Sequence, residues 1–256
     1  MKRDLAFRFS LFTAVSLLAG GFSAGGQTFE QLKAAADKND VKAQTQLGIA
    51  YMSGTGTVQD AKEAVKWFRK AAKTDAQAQL GLGFCLATGD GVSANMKEAV
   101  NWYRKAADQG LAEAQFKLGY CMEKGLGIPK NEAEGAKWYA KAAEQGWVEA
   151  QVQIAAMSHA GVGADQSYAE AAKWYAKAAE QGNSEAQYNL GLLYSLGQGV
   201  PRDYVEAYKW LSIAAGSGRK DAIAKRDRLP RDYNMKPEQV AEAEKKAASF
   251  VPKKGM

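Results

Sequence analysis

Ala64, Trp67, Phe68, Ala71 and Ala72 stand at i, i+3, i+4, i+7 and i+8, with Glu63, Lys66 and Lys70 between them. Apolar residues at that spacing form one face of an amphipathic helix. The stripe recurs as Ala99, Trp102, Tyr103, Ala106 and Ala107, and again around Trp138 and Trp174. Trp67, Trp102, Trp138, Trp174 and Trp210 are separated by 35, 36, 36 and 36 residues. A fixed period of roughly 20 to 50 residues predicts stacked copies of one supersecondary unit. The indoles are read as core wedges. Glu63–Lys66, Glu134–Lys137, Glu170–Lys173 and Glu206–Lys209 are i,i+3 pairs on the opposite, solvated face, which Lys70, Lys105, Lys141 and Lys177 continue.

A first helix precedes each of these second helices. It opens at Ala43, Ala78, Ala114, Ala150 and Ala186, each followed by glutamine, and carries Leu47, Leu82, Leu118, Ile154 and Leu190 four residues on. The next position is Gly48, Gly83, Gly119, Ala155 or Gly191, small enough for a second helix to approach closely. A Gly-x-Gly loop then ends each first helix, from Gly54 and Gly56 to Gly197 and Gly199. It lacks the lysine and hydroxyl of a phosphate-binding loop. Asp60, Asn95, Asn131, Ser167 and Asp203 follow, each with glutamate three residues later, which predicts a capping box at the start of every second helix.

This pattern resembles the Sel-one-like (Sel1-like) repeat family, a subclass of the tetratricopeptide-like α/α superhelices. The segment from Ala186 to Ala215, AQYNLGLLYSLGQGVPRDYVEAYKWLSIAA, carries the resemblance most fully. It implies an all-α solenoid of five repeats of about 36 residues with terminal capping helices. The expected organisation is a signal peptide at 1–26, a half-repeat cap at 27–42, repeats at 43–221, and a half-repeat with a capping helix at 222–256. Thr28 and Gln31 predict a capping box on a lone second helix reaching Asn39. At the other end, Ala222 to Leu229 begins a sixth first helix expected to fail at Pro230, followed by a closing helix from about Pro237 to Phe250. Between Ala72 and Ala78 one residue and the usual glycine are missing, and Thr57 and Ala164 replace the valine expected after the loop glycines.

The formal charge is +6, and removing residues 1–26 takes away Lys2, Arg3 and Arg8 against Asp4, leaving +4. That is too mild for the basic footprint of a nucleic-acid binder. The opening residues have a basic start, an apolar run from Phe9 to Leu18 and small residues to Gly26, the layout of a secretory leader cleaved between Ala24 and Gln27. The apolar run falls short of the roughly 20 residues of a membrane span. The expected location is therefore periplasmic or secreted, with no integral membrane segment after leader removal.

Catalytic material is sparse: one histidine, His159, read as a surface residue, and two cysteines, Cys85 and Cys121. Nothing supplies the three or four clustered ligands of a metal site, and no cofactor is expected. Equivalent points on stacked helices lie about 8–10 Å apart, beyond the roughly 7 Å reach of a disulfide, so free buried thiols are expected. Some secreted cysteine-rich relatives have been linked to penicillin binding, but their cysteine pattern is missing here.

The resemblance implies that first helices line a concave surface. Two rows fall there, Thr45, Leu80, Phe116, Val152 and Tyr188, and Ile49, Phe84, Tyr120, Ala156 and Leu192. The candidate partner-binding set is Ile49, Leu80, Phe84, Phe116, Tyr120, Val152, Tyr188 and Leu192, flanked by Gln77, Glu113, Glu149 and Glu185, which favour a mildly basic partner. The function expected is an exported, non-enzymatic adaptor binding a protein or peptide of unspecified identity. Two alternatives are an envelope enzyme or ligand-binding protein with β-lactam or peptidoglycan affinity, and a self-assembling structural element. Packing of the two rows against one another is the competing role for these side chains.

Overall fold

A computed structural model describes residues 28–253; the leader expected at 1–26 lies outside the described residues. These residues form thirteen α-helices and no strand. A lone helix, α1 (Phe29–Asp37), precedes five pairs: α2 (Val41–Ser53) with α3 (Ala61–Ala71), α4 (Ala76–Thr88) with α5 (Met96–Asp108), α6 (Ala112–Lys124) with α7 (Glu132–Glu144), α8 (Val148–Ala160) with α9 (Tyr168–Glu180), and α10 (Ser184–Leu196) with α11 (Tyr204–Gly216). Two more, α12 (Lys220–Asp232) and α13 (Pro237–Ala248), close the chain. This is the all-α repeat solenoid expected from the sequence. The described residues divide into two compact units, 28–114 with 126–129, and 115–125 with 130–253.

Each second helix starts where the sequence places it, but the cap is only half a capping box. Asp60, Asn95, Asn131, Ser167 and Asp203 each accept the backbone N–H three residues on. Their own N–H groups donate to a carbonyl of the preceding first helix, at Tyr51, Leu86, Met122, Ser158 and Tyr194, over 2.7–3.1 Å. The glutamate is thereby released from its reciprocal role. Glu63, Glu134, Glu170 and Glu206 pair instead with Lys66, Lys137, Lys173 and Lys209.

Within a repeat the two helices meet at the small residue. A Cβ on Gly83 would lie 2.8 Å from the Tyr103 ring, and one on Gly48 2.6 Å from the Phe68 ring. Between repeats the second loop glycine is the tight point. Gly199 has φ +70°, and a Cβ there would stand 2.1 Å from Tyr168 O, in the first turn of α9. Only glycine satisfies both conditions.

A buried glutamine relay links successive repeats. Gln79 Nε2 donates to Ala72 O at 3.0 Å, and its Oε1 accepts from Gln109 Nε2 at 2.8 Å. In the second unit Gln145 donates to Gln115 and Gln181 to Gln151, again across 30 residues. Burial of a carboxamide is costly unless its donors and acceptors are satisfied. The glutamine after each opening alanine is therefore a structural joint, a role periodicity alone did not disclose.

The tryptophans wedge into the core as expected, with Trp67, Trp138, Trp174 and Trp210 buried and Trp102 half-buried. Lys70, Lys105, Lys141 and Lys177 are more than a solvated face: each ammonium sits over the preceding indole, 3.9–4.2 Å from its centroid.

The ends are covered. Helix α1 seals the first unit with Leu32 and Ala36 against Leu47 and Trp67, and Phe29 meets the Tyr51 ring edge-on at 5.5 Å. Helix α12 passes through Pro230 to Asp232, where a stop at the proline was expected. Pro230 falls in the last turn, its fixed φ suits a helix, and buried Leu229 holds the turn against Tyr208 and Leu211. Helix α13 begins at Pro237 as predicted and ends at Ala248, two residues short of the expected Phe250.

Candidate functional site on the first-helix face

Three of the eight candidate contact residues are buried: Leu80, Phe84 and Val152, at 2%, 7% and 5% exposure. Ile49, Phe116, Tyr120, Tyr188 and Leu192 are half-buried. The rows were assigned by i and i+4 spacing, which fixes the side of a helix but not the depth at which neighbours cover it.

In the first unit the row is drawn into structural bonds. The Thr45 hydroxyl lies 3.0 Å from both Val41 O and the Asp75 carboxylate, and that carboxylate caps α4 through the Ala78 N–H. Ile49 is the candidate left with exposed surface there.

In the second unit Phe116 packs against Tyr139 at 5.4 Å between ring centroids. The Tyr139 hydroxyl donates to Glu123 at 2.8 Å, and burial first, then the Glu123 charge, push its pKa well above the ordinary phenol value. Tyr188 carries the Arg219 guanidinium 4.7 Å from its ring centroid and also packs near Ala214, Ala215 and Ala222. Glu149 and Glu185, three residues before Val152 and Tyr188, are exposed, whereas Glu113 is buried.

Leu192 borders a cavity of about 270 Å³, which also touches His159, Tyr168, Tyr175, Asn189 and Leu196. Its walls mix aliphatic and aromatic surface with the polar ends of Asn189 and Tyr175, enough to seat one apolar side chain and orient it. Burial, with Glu185 adding to it, holds the Tyr175 phenol protonated up to about 12. His159 is exposed as expected and meets Tyr168 edge-on at 5.1 Å. Sequence reasoning missed Tyr175, Asn189 and Leu196 because they join a second helix, α9, to a first helix, α10, and none of them belongs to the two candidate rows. It missed Arg219 because that residue lies beyond the last periodic unit.

Cys85 and Cys121 are buried free thiols, and desolvation raises both to about 12. Among the described residues no group of three histidine, cysteine, aspartate or glutamate side chains is placed to hold a metal ion. No described helix is long and apolar enough to cross a membrane.

The Sel1 repeat model matches five times, at residues 41–73, 74–111, 112–147, 148–183 and 184–218. The chain is 43% identical over 61 residues to the secretory immunoglobulin A-binding protein EsiB of Escherichia coli, a match covering 24% of this chain and 12% of that protein. It is also similar to the crystal structure of c5321, described as a protective antigen of uropathogenic Escherichia coli with an SLR fold. There the TM-score is 0.78 and the identity 34%, over 86% of this chain and 48% of that one. A Sel1 repeat protein from Oxalobacter formigenes aligns with TM-score 0.72 and 29% identity over 94% of this chain and 98% of its own. This chain thus spans about half of c5321 and a smaller part of EsiB. Five consecutive matches spanning residues 41–218, together with the helical pairs themselves, establish that the chain belongs to the Sel1 repeat family.

Proposed function

We propose that this protein is an exported adaptor that binds a protein or peptide partner through the concave, first-helix face of its repeats. Sel1 repeats mediate protein–protein interaction, and that supports the general class. The observation that carries the specific reading is in the second unit: half-buried Phe116 and Tyr120 lie on the first helix α6 and half-buried Tyr188 and Leu192 on the first helix α10, with exposed Glu149 on α8 between them and exposed Glu185 on α10. Aromatic anchors with an acidic margin suit an extended or helical segment of mildly basic character. The cavity beside Leu192 supplies a pocket for one apolar side chain of that segment. EsiB is named for binding an immunoglobulin, which supports a protein as the ligand class, and the basic-apolar-small leader at 1–26 supports export.

A photocrosslinking residue placed at Tyr120 in the native cell tests the reading, with the same residue at Lys137 as a control. The expected result is one recurrent partner crosslinked from 120 and absent from 137. Tyr120→Ala should weaken that partner by about 2 kcal/mol, roughly 30-fold, with unchanged helicity. Equal capture from both positions, or loss of folding in Tyr120→Ala, refutes the assignment. N-terminal sequencing of the mature chain checks export, with Gln27 or a residue within three of it expected first.

A further inference from the structure

The end of the chain behaves as a ligand of its own second helices. After α13 the backbone runs extended across α11 to the end of α9, where Lys253 N donates to Glu180 O at 2.8 Å and Lys253 Nζ meets the Glu180 carboxylate at 2.7 Å. Phe250 sets its edge against the Trp210 ring at 5.5 Å, and Pro252 rests over Gly182, where a Cβ would come within 3.3 Å of it. Beneath this segment is a cavity of about 420 Å³ walled by Trp210, Glu206, Lys209 and Lys246.

The repeat itself departs from its pattern at this place. In the first four units the residue three after the tryptophan is a lysine lying over the indole; after Trp210 it is Ile213. Lys209 lies over the Trp210 ring at 4.3 Å, and Phe250 meets that ring at an interplanar angle of 70°. The anchorage of the segment is nevertheless thin. It consists of one main-chain hydrogen bond to Glu180, one exposed ion pair, one aromatic contact and the packing of Pro252 on Gly182, while Val251 is 80% exposed.

We propose that the groove between α9 and α11 is a peptide-docking site whose resident ligand is the chain's own segment Phe250-Val251-Pro252-Lys253. Its exchange partner is an extended segment of the same chemistry: an aromatic side chain for Trp210, a proline two residues later for Gly182, then a lysine or arginine for Glu180. This site lies on the second helices and does not depend on the reading of the first-helix face.

The test uses the full chain carrying Phe250→Ser and Lys253→Glu, which unseat the tail without removing it, and a fluorescein-labelled peptide of residues 247–253. Anisotropy should show saturable binding to this variant and at least about tenfold weaker binding to the wild-type chain, where the tethered tail competes at high effective concentration. Adding Glu180→Gln should weaken binding about twofold, and Phe→Ala in the peptide about tenfold. Absence of binding to the unseated variant, equal binding to both chains, or indifference to the peptide's phenylalanine overturns the proposal. A second measurement uses the wild-type chain alone. Saturating peptide should accelerate hydrogen exchange at the Lys253 amide, and unchanged exchange overturns the proposal as well.

Discussion

Replacing Gln79 by leucine removes one joint of the glutamine relay, and the energetic consequence follows from what each partner can do afterwards. In the shortened turn after α3 the N–H groups of Thr74 and Asp75 both donate to Ala71 O, so Ala72 O is left to the Gln79 carboxamide. Ala72 is buried, so its carbonyl cannot turn to water. An orphaned buried acceptor costs about 1–3 kcal/mol. Gln109, the other partner, is exposed and recovers hydration, adding only a few tenths of a kcal/mol. The expected loss is therefore about 2 kcal/mol, or about 4–8 °C in Tm for a chain of this size. Gln151→Leu provides the internal comparison, because Ala143 O also accepts the Gly146 N–H at 3.0 Å and keeps that partner when the side chain goes. Its loss should be about 1 kcal/mol. Urea denaturation followed by circular dichroism compares the two. Equal losses, or a loss below about 0.5 kcal/mol for Gln79→Leu, would refute the role assigned to the shortened turn.

Gly199→Ala combines a left-handed backbone with a Cβ forced against Tyr168 O, and should cost about 3 kcal/mol or more. Gly218→Ala, at φ +84° with open space around it, should cost about 1 kcal/mol, and urea midpoints that fail to separate the two would remove the steric part of the account. Cys85 and Cys121 should resist iodoacetamide at pH 8 until the chain is unfolded, read by intact mass, because burial holds both thiols neutral up to about 12. The same shifts set an alkaline limit. A raised folded pKa keeps its full stabilising contribution below the ordinary thiol value of 9.0, and loses it as pH climbs toward about 12. Denaturation midpoints should fall across that interval, and less steeply in Cys85→Ala/Cys121→Ala; identical slopes would assign the fall to other groups.

The second helices were legible residue by residue, because a capping side chain, an indole at fixed spacing and a glycine loop each act locally. Position-specific depth was not. Leu80 and Val152 share one row with Tyr188, and Phe84 shares the other with Leu192, yet the former three are buried and the latter two half-buried. Coverage depends on what the next helix presents, and helical periodicity is blind to it. The glutamate of four of the five expected capping boxes went to lysine, and Glu98 accepts from the Asn95 side chain, because the N-cap amide had a carbonyl from another helix to satisfy it. Pro230 illustrates the converse: a strong local stop signal yielded where only the last turn was affected and buried Leu229 anchored it. The Leu192 cavity and the Phe250 contact each join different helices or a helix and the segment after α13, so no pattern within one helix announced them.

The glutamine relay also has a consequence for how such a chain can grow. An interior repeat reaches the unit before it through its first-helix glutamine, as Gln151 donates to Ala143 O and Gln187 to Ala179 O, while the oxygen of that glutamine is held by the turn of its own repeat, as Gln151 is by Gln181. A tandem copy of residues 148–183 would set its Gln151 against Ala179 O at the new junction, as Gln187 is set now, and would bring its own Gln151–Gln181 bond with it. The first and fifth repeats differ, since Thr74 and Ser217 stand in their turns where Gln109, Gln145 and Gln181 stand in the others. Lengthening by duplication is therefore favoured among the three interior repeats, which carry both the first-helix and the turn glutamine, over the first and fifth, which carry one.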